Sequence, residues 1–197
     1  MIVIGITGPT GSGKTTALKS LKKRGFEIID CDRLYHSLLE TDAALRASLT
    51  SAFGEIFLAD GKLDRAKLAK KVFGNKAELD KLNAIVFPVI YTAVEAKIAK
   101  NTQKGIAIDA INLIECKLGQ LCDVTIAISA EPAVRVKRIM ARDGIDEERA
   151  LARVNAQKPD KFYRKNCNFF LENRAGSAAE FVRLMDDFVD NILFMEE

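Results

Sequence analysis
The chain has 197 residues, of which 48% are hydrophobic and 29% charged, with mean hydropathy +0.01, formal net charge +3 and pI near 8.6. That is enough apolar material for the core of one ordinary globular domain, and a basicity this mild suits an anionic small molecule without implying nucleic acid. Cys31, Cys116, Cys122 and Cys167 form no Cys-x-x-Cys pair and His36 is the single histidine, so no zinc site is expected. Scattered cysteines read as reduced cytosolic thiols. The opening "MIVIGI" is too short for a signal peptide, and no run of about 18 apolar residues predicts a membrane span. The expectation is a cytoplasmic monomer with neither a nucleic-acid nor a membrane partner.

In chain order, Ile2 to Ile6 is a short β-branched run that predicts a strand buried on both faces. Lys14 to Arg24 carries Ala17, Leu18 and Leu21 at helical spacing, and Gly25 ends it. "FEIID" (26–30) is the next strand, completing a βαβ unit. Residues 33–100 turn helical: Leu34, Leu38, Leu39, Leu45, Leu49 and Phe53 recur at helical intervals, and Pro88 marks a kink or boundary. "GIAIDA" (105–110) and "DVTIAIS" (123–129) return to strand, with a mixed pattern between them. "EPAVRVKRIMARDG" predicts a helix with Pro132 in its first turn, "CNFFLEN" (167–173) a last strand, and Ser177 to Phe194 a closing amphipathic helix. Strands alternating with helices predict an α/β fold with a parallel sheet.

Between the first strand and the first helix lies "GPTGSGKTT". Gly8-x-x-x-x-Gly13-Lys14-Thr15 is the P-loop pattern, in its required strand–loop–helix setting. Small residues at Gly8, Pro9, Thr10, Gly11, Ser12 and Gly13 let backbone N–H groups surround a phosphate, and the helix N-terminus adds its dipole. Lys14 reaches the β- and γ-oxygens, and Thr15, followed by Thr16, offers a hydroxyl to Mg²⁺. The loop therefore predicts a nucleotide with Mg²⁺, without saying which nucleotide. "NKAE" (75–78) departs from the guanine-reading Asn-Lys-x-Asp and lies in the helical region, so an ATP kinase is the better reading than a GTPase. Asp30 and Asp32 follow the second strand, where a parallel sheet presents its ligand crevice. Asp32 is the candidate base for a phosphoryl acceptor. Asp30 either orients it, supports Mg²⁺ through water, or caps the next helix. Asp109, closing an apolar strand, either holds Mg²⁺ through water or caps a turn. Arg138 and Arg142 are four apart on one helical face, within a stretch (131–165) of ten basic and six acidic residues. Like charges so placed favour an anion between them, and arginine suits phosphate oxygens.

"GITGPTGSGKTT", "GFEIIDCDRLYH", "RIMARDG" (138–144), "RVNAQ" (153–157) and Asn173 together resemble the dephospho-CoA kinases, along almost the whole chain. The resemblance implies ATP-dependent phosphorylation of the ribose 3′-hydroxyl of dephospho-CoA, giving CoA and ADP. It implies a P-loop kinase core (about 1–32, 101–130 and 166–197), a helical acceptor region (about 33–100) and a lid (about 131–165). By the same resemblance Asp32 is the catalytic base, Arg138 and Arg142 are lid arginines, and Asn173 lies near adenine or simply favours the turn before Gly176. The chain departs from the family's pattern at Phe87-Pro88 (usually His-Pro), at "INLIE" (111–115), which keeps Leu113 and Glu115 without the proline, at Arg135 (usually Gln) and at Cys167-Asn168 (usually Ala-Asp). Two other readings stay open at this point. One is a related kinase of a nucleoside, nucleotide or sugar, and the other a nucleotide-binding regulator without acceptor chemistry.

Overall fold
The computed structural model describes residues 1–193; Phe194, where the sequence pattern ends the last helix, lies outside the described residues. Five strands form one sheet: β1 (Ile2–Thr7), β2 (Phe26–Asp30), β3 (Gly105–Asp109), β4 (Val124–Ser129) and β5 (Phe169–Glu172), in the order β2-β3-β1-β4-β5. β1 runs parallel to both β3 and β4, and β4 parallel to β5. Strands covered on both faces need apolar residues at consecutive positions, and Ile4, Ile6, Ile106, Ile108, Ile126 and Ile128 are all fully buried. The register sets Ile6 beside Asp109 and Thr7 beside Ala127, so these strands finish at one edge. The strand order reverses at β1, and such a switch point opens a crevice at the carboxyl ends.

Nine helices are described: α1 (Lys14–Lys23), α2 (Cys31–Thr41), α3 (Ala43–Phe53), α4 (Arg65–Val72), α5 (Lys76–Lys100), α6 (Pro132–Asp143), α7 (Glu147–Asn155), α8 (Asp160–Asn166) and α9 (Ala178–Leu193). The chain divides into two compact units, Met1–Ile29 with Lys100–Glu197, and Asp30–Ala99. In the first, Ala17, Leu18 and Leu21 of α1 and Phe181, Met185 and Val189 of α9 join the strands in one apolar cluster. Val136 and Ile139 of α6 pack with Ala150 and Val154 of α7 in a smaller one. The mixed segment before β4 contains a short 3₁₀ turn, Leu118–Leu121.

In the second unit, Arg46 donates to the carbonyls of Leu39 and Gly61 at 3.0 and 2.7 Å and lies over the Phe57 ring, tying α3 to α2 and to the 57–63 turn. Lys81 of α5 donates to the Ala52 carbonyl of α3 at 2.8 Å. Pro88 is no boundary: α5 runs through it as one helix of 25 residues. A proline costs one hydrogen bond and a clash with the preceding turn, and a helix with several turns on each side survives that loss. By length and composition α5 is also apolar enough to cross a membrane, with mean hydropathy 1.4 in its 18-residue window. The sequence reading missed this because it asked for an unbroken apolar run, which Asn83, Pro88, Thr92 and Glu95 interrupt. Val86, Ile90 and Val94, spaced by four, are its buried seam.

Behind the glycine loop, α1 is tied to α9 by charge. Arg24 donates to Asp190 at 2.8–2.9 Å and to Asp186, which also accepts from Ser20 Oγ at 2.5 Å. The Asp186 pKa is lowered, by the Ser20 hydroxyl first and Arg24 second. A lowered carboxylate contributes stability that is present above its unfolded pKa and lost as pH falls through the folded value. Both acids are partly exposed, which screens the interaction. Arg24→Met is therefore expected to cost about 1–2 kcal/mol at neutral pH. Urea titrations should show that difference shrinking below about pH 4.

Candidate active site
β1 ends at Thr7, whose hydroxyl donates to the Ile111 carbonyl at 3.0 Å, and the chain enters the glycine loop. Gly8 has φ 129°, and a Cβ there would lie 2.0 Å from the Ile128 carbonyl oxygen of β4. Gly13 has φ 110°, and a Cβ there would meet Asn173 Nδ2 at 2.5 Å. Both positions need positive φ and bare backbone, so the loop lies flush against β4 and the turn after β5.

Every loop carbonyl from Gly8 to Ser12 has a donor. Lys14 Nζ donates to Gly8 O at 2.7 Å and to Pro9 O at 3.2 Å. Arg135 Nε donates to Thr10 O at 2.9 Å, and Arg138 Nη1 to Gly11 O and Ser12 O at 3.2 Å each. Asn173 Nδ2 donates to Ser12 O at 2.9 Å. The N–H groups of Thr10 and Ser12 are engaged too, by Gln157 at 2.6 Å and by the Pro9 carbonyl at 3.3 Å, so it is the loop's remaining N–H groups that can meet the requirement for an anion cradle. The following helix fits the same purpose. Asp30, Asp42, Asp64 and Asp146 cap α2, α3, α4 and α7 with a carboxylate, whereas α1 begins at Gly13 with no side-chain cap. Its first N–H groups and its dipole are thus offered to a ligand. The buried Ser12 Oγ is left without a protein partner.

Thr15 is exposed in the first turn of α1, and Asp109 closes β3 opposite Ile6. These are hard oxygen donors, the kind that Mg²⁺ takes. No cluster of three or more His, Cys, Asp or Glu side chains that could hold a metal ion occurs among the described residues.

The two acids after β2 have separate places. Asp30 caps α2, accepting from Arg33 N–H at 2.9 Å and pairing with Arg33 Nε at 3.3 Å. Asp32 stands exposed in the first helical turn. Because the helix starts at Cys31, the two acids do not share a strand face. His36, on the same helix, has Arg65 Nη2 3.2 Å from its Nε2. It lines a cavity of about 150 Å³ with Leu39, Glu40, Lys62 and Arg65.

Arg138 and Arg142 have different partners. Arg138 holds the loop, whereas Arg142 pairs with Asp143 at 2.7 Å, and Asp143 also binds Arg153. The Asp143 pKa is lowered, first by the hydrogen bond from Arg142. Asn173 is buried, bonded to Ser12 and, through its own N–H, to Ser129 O at 2.7 Å. It supports the loop as well as closing the sheet edge. Arg135 and Gln157, which the sequence reading did not select for the site, complete the loop's supports. Their signal was faint: Arg135 lies three residues before Arg138 on the same helical face. Burial lowers the Arg135 pKa, with Tyr163 and Asp160 pulling it up.

None of the four cysteines is in a disulfide. Burial raises the thiols of Cys116 and Cys122 to about 12, which keeps them protonated and unreactive at neutral pH. Asn168 accepts from Thr125 N–H and hydroxyl at 2.8 and 2.7 Å, locking β5 onto β4. An acceptor is all that position needs.

The family model for dephospho-CoA kinase matches residues 2–179. The chain belongs to the dephospho-CoA kinase family. A dephospho-CoA kinase of Carboxydothermus hydrogenoformans is 38% identical over 161 residues, covering 80% of this chain and 78% of the relative. One from Latilactobacillus sakei is 34% identical, covering 87% and 86%. A Thermus thermophilus protein of known structure superposes with a TM-score of 0.78 at 30% identity, over 96% of this chain and 97% of that one. Membership decides among the three sequence readings: the chain is an ATP-using kinase of dephospho-CoA, an enzyme of coenzyme A biosynthesis. A nucleotide-binding regulator and a kinase of another family are set aside.

Proposed function
We propose that this dephospho-CoA kinase binds ATP with the Gly8–Thr16 loop and uses Asp32 to activate the ribose 3′-hydroxyl of its acceptor. The observation that carries this reading is the engagement of every loop carbonyl from Gly8 to Ser12 by a donor, which leaves the loop's N–H groups, other than those of Thr10 and Ser12, for phosphate. Lys14 gives up its carbonyl contacts to reach the β- and γ-oxygens. Thr15, with Asp109, would hold Mg²⁺, and the ion would neutralise charge on the phosphate oxygens. Arg138 is close enough to the loop to bear on transferred charge, and Arg142 joins it when the 131–165 segment closes over the nucleotide and excludes water. Asn173 supports the loop beneath the nucleotide. The acceptor binds the 33–100 helices. The enzyme acts as a cytoplasmic monomer on small molecules alone.

The test is ADP release from ATP with Mg²⁺, with dephospho-CoA, with other ribose-bearing acceptors, and with none. Stimulation by dephospho-CoA alone, abolished by chelating Mg²⁺, is the expected result. Equal ADP release with every acceptor and with none would sink the reading.

A further inference from the structure
Thr10 lies midway along the loop, and both polar groups of its backbone are held by side chains from distant segments. Its carbonyl accepts from Arg135 Nε at 2.9 Å, and its N–H donates to Gln157 Oε1 at 2.6 Å. Arg135 Nη2 donates to the same Gln157 oxygen at 3.0 Å, closing a ring of three groups. Arg135 is only 6% exposed. A guanidinium is buried at a cost unless its donors are satisfied, and here the loop itself satisfies one. The ring also sets the Gln157 amide: both neighbours are donors, so the oxygen must face them, and a flip would set donors against donors. The backbone of α6 is close as well, since a Cβ on Gly11 would lie 3.0 Å from the Arg135 carbonyl oxygen. A hydrogen bond holding a loop at the waist would serve packing alone if the loop were inert. This loop must instead present its remaining amides in one fixed direction.

We propose that Arg135 and Gln157 are positioning residues of the phosphoryl-transfer site, locking the two peptide groups that flank Thr10 so that the remaining amides after it face the triphosphate. The seating of α6 and of the turn after α7 then sets the loop's affinity for nucleotide. The inference rests on the reading of the Gly8–Thr16 loop as the triphosphate site.

The experiment compares wild type with Arg135→Met, Arg135→Lys, Gln157→Met and the Arg135→Met/Gln157→Met pair. Three quantities are read: the Kd of a non-hydrolysable ATP analogue, the KM values and kcat, and Tm. Arg135→Met and Gln157→Met are each expected to raise the analogue's Kd and the KM for ATP about ten-fold. The KM for dephospho-CoA should stay within about two-fold. Arg135→Lys, which keeps a donor for the Thr10 carbonyl, should recover part of the loss. The pair should lose no more than the worse single variant, because the two are hydrogen-bonded to each other and hold the backbone of one residue. Folded variants with a lower Tm but wild-type KM for ATP would overturn the proposal and leave a packing role. If Arg135→Met does not fold, the partly exposed Gln157 decides alone: wild-type affinity in Gln157→Met overturns it. Failure of the wild type itself to bind the analogue would instead overturn the assignment of the loop, so the two failures are distinguishable.

Discussion

Asp32→Asn is expected to lower kcat by about 10²–10⁴-fold, the usual contribution of a general base. Its KM for ATP should stay within about two-fold. The side chain stands exposed in the first turn of α2 and Asp30, not Asp32, supplies the cap of that helix. Asparagine therefore costs the fold little and removes only the capacity to take a proton. The loss should appear equally in kcat and kcat/KM for dephospho-CoA, as befits an interaction made in the transition state. Retention of more than half the activity would leave Asp32 without a chemical role.

The second large effect is expected at Lys14. Lys14→Met should reduce kcat by about 10²–10³-fold, the scale for removing one donor from developing charge in a water-excluded site. The ammonium now donates to Gly8 O and Pro9 O, carbonyls at the start of the loop, so it is held at the place where the phosphates are expected. Equilibrium binding should separate this role from a structural one. Affinity for ATP should fall more than affinity for ADP, because the γ-phosphate is the group that Lys14 reaches. An equal loss for both nucleotides, accompanied by a lowered Tm, would assign Lys14 to holding the loop's shape.

Much of the fold was legible because its rules are local. Short apolar runs at Ile2, Gly105 and Val124 pointed to strands, the second less firmly than the others, and all three lie in the sheet. Leu34 to Phe53 showed helical spacing, although the break between α2 and α3 at Asp42 was not resolved from it. Boundaries were weaker for the same reason. Asp30 reads as strand, cap or catalyst until the start of the helix is known, and that start is fixed by a hydrogen bond to Arg33 that spacing does not reveal. Of the two readings of Pro88, kink or boundary, the boundary failed because a propensity argument weighs one residue, whereas a helix weighs all its turns together.

The glycine loop shows the division most clearly. By itself the sequence determined that a glycine-rich loop at residues 8–15 stands between strand and helix and, by its order of small residues, lysine and hydroxyl, marked it as the candidate phosphate loop. It also determined the parallel α/β class and named Asp32, Arg138 and Arg142 as chemical candidates. Only the tertiary structure decided what holds the loop in shape. Arg135 and Gln157 grip Thr10, Arg138 and Asn173 grip Ser12, and Arg142 turns to Asp143. Those partners come from segments distant in the chain, and pairwise hydrogen-bond geometry leaves no periodicity in a sequence. It arises when the sheet brings α6, the turn after α7 and the end of β5 to the same edge.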